Sequence, residues 1–201
     1  MPRCKNCKEK FVVKYFLQKY CMLKDECIKA FNDARKEKVI DDKVKEMKVD
    51  AYSKERRKDL QDEINFLSRS IDSKFGYGCI DCDKFMDSQK NQIDACHLIS
   101  RKKNSTLKYH LHNLHSGHNH CNIYNTEHES NYKKGLVLRY GKEYLEMVEG
   151  LPQVYKELHL SNNEVIEKLA IVRKINRTFD TYLITSGDTA REMFNKIINI
   201  Y

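Results

Sequence analysis

Between residues 79 and 122 the chain reads Cys79-Ile-Asp-Cys82 at one end and His118-Asn-His-Cys121-Asn122 at the other. Asp94-Ala-Cys-His97 and Asn113-Leu-His115 lie between them. The outer pairs have the same internal spacing, which suits two knuckles closing on one tetrahedral ion. Cys79, Cys82, His118 and Cys121 would supply three thiolates and one imidazole, an ordinary donor set for structural Zn²⁺. His115 and His120 are alternative fourth ligands. Apolar residues alternate over Ile93–Ile99, which predicts a strand. Leu107-Lys-Tyr-His-Leu111 is its expected return strand, across a basic turn at Arg101–Ser105. A helix is expected to begin between Asn122 and Asn131.

Outward from this segment, the composition narrows the class. The chain has 201 residues, a formal charge of +8, 2 Pro and 7 Gly, with a mean hydropathy of -0.73. No apolar run of about 18 residues exists, so no membrane span is expected. Met1-Pro2-Arg3-Cys4 lacks the apolar core of a secretion signal. The reading is therefore a cytoplasmic protein with reduced thiols, in which paired cysteines mean metal rather than disulfides. A second set, Cys4, Cys7, Cys21 and Cys27, surrounds an aromatic-rich stretch and predicts another structural zinc. About two zincs per chain follow. The excess of positive charge favours a polyanionic partner.

The rest reads as helix. Residues 28–75 contain neither Pro nor Gly. Leu60, Ile64, Leu67, Ile71 and Phe75 form one apolar face at spacings of three and four. A break near Val49–Ser53 separates this helix from a less regular one carrying Ile28, Phe31, Val39, Val44 and Met47. The charge run is read as a solvated face. Ser161-Asn-Asn-Glu164 is a capping box opening a helix through Val165, Leu169, Val172 and Ile175. Ser186-Gly-Asp188 caps a last helix carrying Met193, Ile197 and Ile198. The expected organisation is a Cys4 zinc module at 1–30, a charged helical segment at 31–76, a zinc-stapled module at 77–140, and a helical region at 141–201 without evident chemistry.

Strand, loop, strand and helix stapled by zinc is the layout of a ββα-metal nuclease, and the motif order resembles the zinc-containing HNH endonucleases. More narrowly the chain resembles the phage NinG/Rap recombination proteins. The resemblance is carried by Cys4-x-x-Cys7 with Tyr20-Cys21 and Cys27, by Asp94-Ala-Cys-His97, by Leu107-Lys-Tyr109 through Asn113-Leu-His115 to His118-x-x-Cys121-Asn122, and by Arg139-Tyr-Gly141. It spans roughly residues 1–150. Cys96 stands where that family usually has Gly, and His118 where it has a Cys ligand. The expected class is α+β, a mostly helical chain around an HNH/treble-clef-like core, with an N-terminal zinc knuckle.

The resemblance implies a divalent-metal-dependent DNA endonuclease, phage-encoded and acting on Holliday junctions and D-loops in the host cell. His97, a neutral imidazole, is the candidate general base. Asn113 would brace the hairpin and orient it. Asp94 and Asn122 are candidate ligands for a catalytic Mg²⁺ or Mn²⁺, ions that prefer oxygen donors. His115 and Cys96 are reserve ligands. Arg101, Lys102, Lys103 and Lys108 would contact phosphates without reading sequence. The near two-fold symmetry of a junction makes a homodimer plausible. The competing readings are a non-catalytic zinc protein that binds nucleic acid, and an HNH nuclease with sequence preference.

Overall fold

Ser68 and Asp72 stand among the apolar side chains of the helix that organises the fold, and both bind the central hairpin. In the computed structural model that helix, α2 (Lys54–Lys74), buries Leu60, Ile64, Leu67 and Ile71 completely. The structure describes residues 1–50, 54–87 and 92–201, with side chains omitted over 43–50. It divides into two units, 1–52 and 53–201.

The first unit holds the N-terminal cysteines and α1 (Asp25–Asp50). Its short core is Cys4, Cys21, Cys27 and Phe11, with Tyr20 and Cys7 at the margin. Tyr20 meets Phe31 of α1 edge-on at 5.9 Å. Val39 is half exposed. Val44, Met47 and the expected helix break lie wholly or in part outside the described residues.

The second unit is built on an antiparallel pair, β1 (Ile93–His97) and β2 (Leu114–His118), in the register Asp94 opposite Gly117 and Cys96 opposite His115. After β2 come α3 (Asn119–Tyr124) and α4 (His128–Tyr140), then α5 (Lys142–Val154), α6 (Asn162–Arg177) and α7 (Gly187–Ile198). One core joins α2, α6 and α7, through Leu60, Ile64, Val172, Ile175 and Phe194, with Tyr109, Leu111 and Leu114. A second joins Ile80, Cys96, Leu98, Leu107, Tyr132, Leu136 and Val148. α4 lies hard against the first cysteine pair: a Cβ at Gly135 would stand 2.0 Å from the Ile80 carbonyl oxygen, so no larger residue fits.

The expected return strand at Leu107–Leu111 is not one. Residues 106–109 and 111–113 are 3-10 turns, and the second strand starts at Leu114. Alternation fails there because the segment is buried on every side: Leu107 faces one core, Tyr109 and Leu111 the other, and His110 and His112 are also covered. The helix after the hairpin also starts earlier than expected, at Asn119. The capping boxes at Ser161 and Ser186 are both formed. In α7 the inward residues are Ala190, Arg191, Phe194 and Ile198, whereas Ile197 is 40% exposed. The expected boundaries at 30, 76 and 140 also differ from the structural ones. The charged segment 31–76 is shared between the two units, and residues 141–201 are integral to the second.

Arg191 of α7 and Asp72 of α2 are both fully buried and joined at 2.7 Å. Asp72 Oδ2 accepts the Ser116 N–H at 2.6 Å. Arg191 donates to the Leu114 carbonyl from Nε and Nη2, and from Nη1 to Tyr140 and the Gly187 carbonyl. Ser68 also donates to the Leu114 carbonyl. Among the described residues no helix is long and apolar enough to cross a membrane. Asp72→Ala would strand a buried guanidinium and free the Ser116 N–H. The expected loss is about 3–5 kcal/mol, read as a drop in the thermal unfolding midpoint of roughly 10 °C.

Candidate functional site

Two groups of side chains have metal-ligand geometry, and the donor atoms of each lie within 4.8 Å of one another. In the second unit they are Cys79, Cys82, His118 and Cys121. The Cys79 and Cys82 thiols sit on a tight knuckle in which Asp83 N–H donates to the Cys79 carbonyl at 2.8 Å. β2 then delivers His118 directly into α3, which carries Cys121. His118 Nδ1 lies 3.5 Å from Cys82 Sγ, and Nε2 faces the Phe85 carbonyl at 3.3 Å. That outer partner fixes the proton on Nε2 and leaves Nδ1 as the ligand atom. Burial and the neighbouring Cys79 and Cys82 push the Cys121 thiol up to about 12. Crowded sulfurs of this kind lose their protons to a cation, and the donor set fits Zn²⁺. His120 stacks on Tyr124 instead, at 5.4 Å.

In the first unit Cys4 faces Cys27 at 3.7 Å and Cys7 faces Cys21 at 3.9 Å. The Cys4 thiol is drawn down to about 6: desolvation opposes this, but backbone N–H groups of Cys21, Cys7 and Asn6 stabilise the thiolate. Four sulfurs again fit zinc. The wide spacing between Cys21 and Cys27 is absorbed by the first turn of α1, which supplies Cys27.

The outer edge of β1 opens on a cleft of about 640 Å³ lined by Asp94, His97, Asn122, Arg101 and Lys102 from the expected site. Asp94 Oδ2 accepts amide hydrogens from Asn119 at 2.8 Å and Asn122 at 3.2 Å. Among the described residues Oδ1 of both Asp94 and Asn122 makes no hydrogen bond, so one carboxylate and one amide oxygen remain for a hard cation. The ring of His97 meets the Lys108 carbonyl through Nε2 at 3.2 Å. Nε2 can only donate to a carbonyl, so the neutral ring keeps its lone pair on Nδ1. Burial, against that bond, lowers the His97 pKa to about 4.

Asn113 is fully buried and touches His97 only indirectly. Its Oδ1 accepts the Ile99 N–H at 2.8 Å, and its Nδ2 donates to the Ile99 and Leu107 carbonyls. It thereby closes the loop whose Lys108 carbonyl holds His97.

Other expectations are corrected. His115 is not near the ion site: it is fully buried, Nδ1 meets the Tyr132 hydroxyl at 2.9 Å, and Tyr140 and Tyr144 pack around it. Cys96 points into the core behind Cys79, with its thiol pushed up by burial. His115 and Cys96 stand opposite each other in the strand pair, and neither lines the cleft. Lys103 pairs with Glu129 at 2.5 Å, with both side chains more than half exposed. Lys108 lies over the Tyr109 ring at 4.7 Å, outside the cleft lining.

Sequence reasoning missed two contributors. Arg69 of α2 lines the cleft without an ion pair or hydrogen bond among the described residues. Burial lowers its pKa, opposed by Asp94 and Asp62. Asp62, Asn65 and Arg69 recur at helical spacing beside the apolar stripe, which was the available clue. His128, at the start of α4, has both ring nitrogens buried without hydrogen-bond partners, and its Nδ1 is 3.6 Å from buried Asp81. Metal analysis should give two zincs per chain. Cys79→Ser or Cys121→Ser should unfold the second unit and Cys4→Ser should leave one zinc, whereas Cys96→Ser should retain both, read by metal content and circular dichroism.

The described helices and strands thus put a cluster that could hold a metal ion close to a polar cleft. No curated protein sequence and no solved structure matches the chain. A family model described as NinG: Bacteriophage Lambda NinG protein matches residues 1–178. With nearly the whole length matched, the chain belongs to the NinG family.

Proposed function

We propose that this protein is a phage recombination endonuclease that hydrolyses phosphodiesters in branched DNA such as Holliday junctions and D-loops. The observation that carries the reading is His97, neutral and with Nδ1 unengaged, on the same cleft as Asp94, Asn122 and three cationic side chains, Arg69, Arg101 and Lys102. In the proposed reaction His97 Nδ1 takes a proton from water. The resulting hydroxide attacks phosphorus in line, the bond from phosphorus to the 3′-oxygen breaks, and that oxygen takes a proton from solvent. Products would carry a 5′-phosphate and a 3′-hydroxyl.

Asp94 and Asn122, with His128 nearby, would hold Mg²⁺ or Mn²⁺, which supplies charge neutralisation at the leaving oxygen. Asn122 brings an oxygen where many HNH sites have His. Arg101, Lys102 and Arg69 bind phosphate oxygens without reading bases. The preference for branched DNA rests on family likeness.

A labelled four-way junction incubated with Mg²⁺ or Mn²⁺ should be cut by the wild type. His97→Ala should bind it equally and cut at least about 10²-fold more slowly. Binding by both without cutting would leave a non-catalytic nucleic-acid-binding protein. Equal cutting of junctions of unrelated sequence would count against sequence preference. The base works unprotonated, so its contribution is complete above its pKa and fades below it. With that pKa held near 4, the acid limb of the pH–rate profile should fall near pH 4. An unperturbed imidazole would place it at about 6.5.

A further inference from the structure

The N-terminal unit presents a surface that the proposed chemistry does not use. Residues 1–24 contain seven Lys and Arg and a single acid, Glu9. Lys24 pairs with Glu9 at 2.6 Å. Arg3, Lys5, Lys8, Lys10, Lys14 and Lys19 are exposed and lack ion pairs among the described residues. Between Lys10 and Lys19 runs Phe11-Val-Val-Lys-Tyr-Phe-Leu-Gln18. Phe11 is buried with the cysteines, but Val12 is 68%, Tyr15 50%, Phe16 90% and Leu17 73% exposed.

The loop is held out rather than collapsed. Buried Gln18 accepts the Lys14 N–H at 2.8 Å and donates to the Tyr20 carbonyl at 2.8 Å. Gln18 N–H closes a turn onto the Tyr15 carbonyl, with Leu17 at φ 61. Apolar side chains at the tip and a left-handed leucine both cost the free protein stability. Two aromatics framed by unpaired lysines match a strand of nucleic acid with accessible base faces, where stacking supplies contact and the lysines supply counter-charge.

We propose that the loop from Lys10 to Lys19 is a second DNA-binding element, gripping phosphates through its lysines and stacking Tyr15 and Phe16 on unpaired bases. The proposal rests on DNA being the substrate, and it assigns the unpaired strands at a branch to the zinc-knuckle unit. The test uses the full chain, zinc-loaded, without added Mg²⁺ or Mn²⁺. Affinities are measured for a fluorescent forked oligodeoxynucleotide with unpaired arms and for a blunt duplex.

Phe16→Ala should weaken fork binding about tenfold and duplex binding less than twofold, while Phe16→Trp restores the fork. Replacing Lys14 and Lys19 by Gln should reduce the salt dependence of fork binding by about 1.4 in log–log slope. Unchanged fork affinity in Phe16→Ala, or an equal loss on fork and duplex, overturns the proposal. So does Phe16-dependent binding to phosphatidylglycerol vesicles with DNA affinity unaltered. Because Phe16 is almost fully exposed, loss of folding does not confuse the result. A fork held through Phe16 but never cut with Mg²⁺ or Mn²⁺ would sink the nuclease reading alone. Cutting that is indifferent to Phe16 in both binding and rate would sink this proposal alone.

Discussion

The buried ion pair between Asp72 and Arg191 is the constraint from which the second unit is assembled. Two full charges with no solvent must be satisfied completely, and the partners here lie on β2, α4 and α7. Asp72 spends its second oxygen on the β2 backbone, and Arg191 reaches β2, α4 and its own helix. A pair of this kind adds little net stability over a well-packed apolar substitute. The pair ties β2 to both helices, through the Ser116 N–H on the α2 side and the Leu114 carbonyl on the α7 side. That placement decides where His118 emerges for metal and where the edge of β1 is left open.

The two edges of the hairpin have different fates. The β2 edge is covered by the first knuckle, whose Ile80 N–H donates to the Ser116 carbonyl at 2.9 Å. The β1 edge faces the cleft. Asp81, lying between two zinc ligands, accepts an amide hydrogen from Asn125 and stands near His128. The Cys3His cluster and the cleft therefore share a wall. Asn113 works at the other end, where a carboxamide replaces a strand-to-strand bond pair and shapes the loop that holds His97. Asp94, His97, Asn122 and Arg69 sit on strands and helices, whereas Arg101 and Lys102 sit on an exposed turn.

Much of the site was legible because its residue types have few other uses. Closely spaced cysteines pointed to both candidate ligand sets, and both sets converge in space with His118, rather than His115 or His120, as the fourth member of one. The α2 and α6 faces were equally readable, since a stripe at spacings of three and four has one burial solution against a partner. His115 and Cys96 misled because spacing along the chain does not say which side chains of a strand pair a core will cover. The segment at 107–111 misled because apolar residues were counted as one face when they serve two cores. Phe194 and Arg191 were passed over in a helix judged by its aliphatic residues alone.

The sequence by itself determined the candidate metal-ligand sets, the amphipathic helices and their caps, because these depend on spacing along the chain and on side-chain chemistry that few other residue types share. Only the tertiary structure decided the strand register, the fate of each histidine, the partnership of Asp72 with Arg191 and the place of Arg69 and His128 at the cleft. Those are meetings between residues far apart in the chain. They are set by which polar groups can be satisfied once the cores have closed, and no local pattern encodes that outcome.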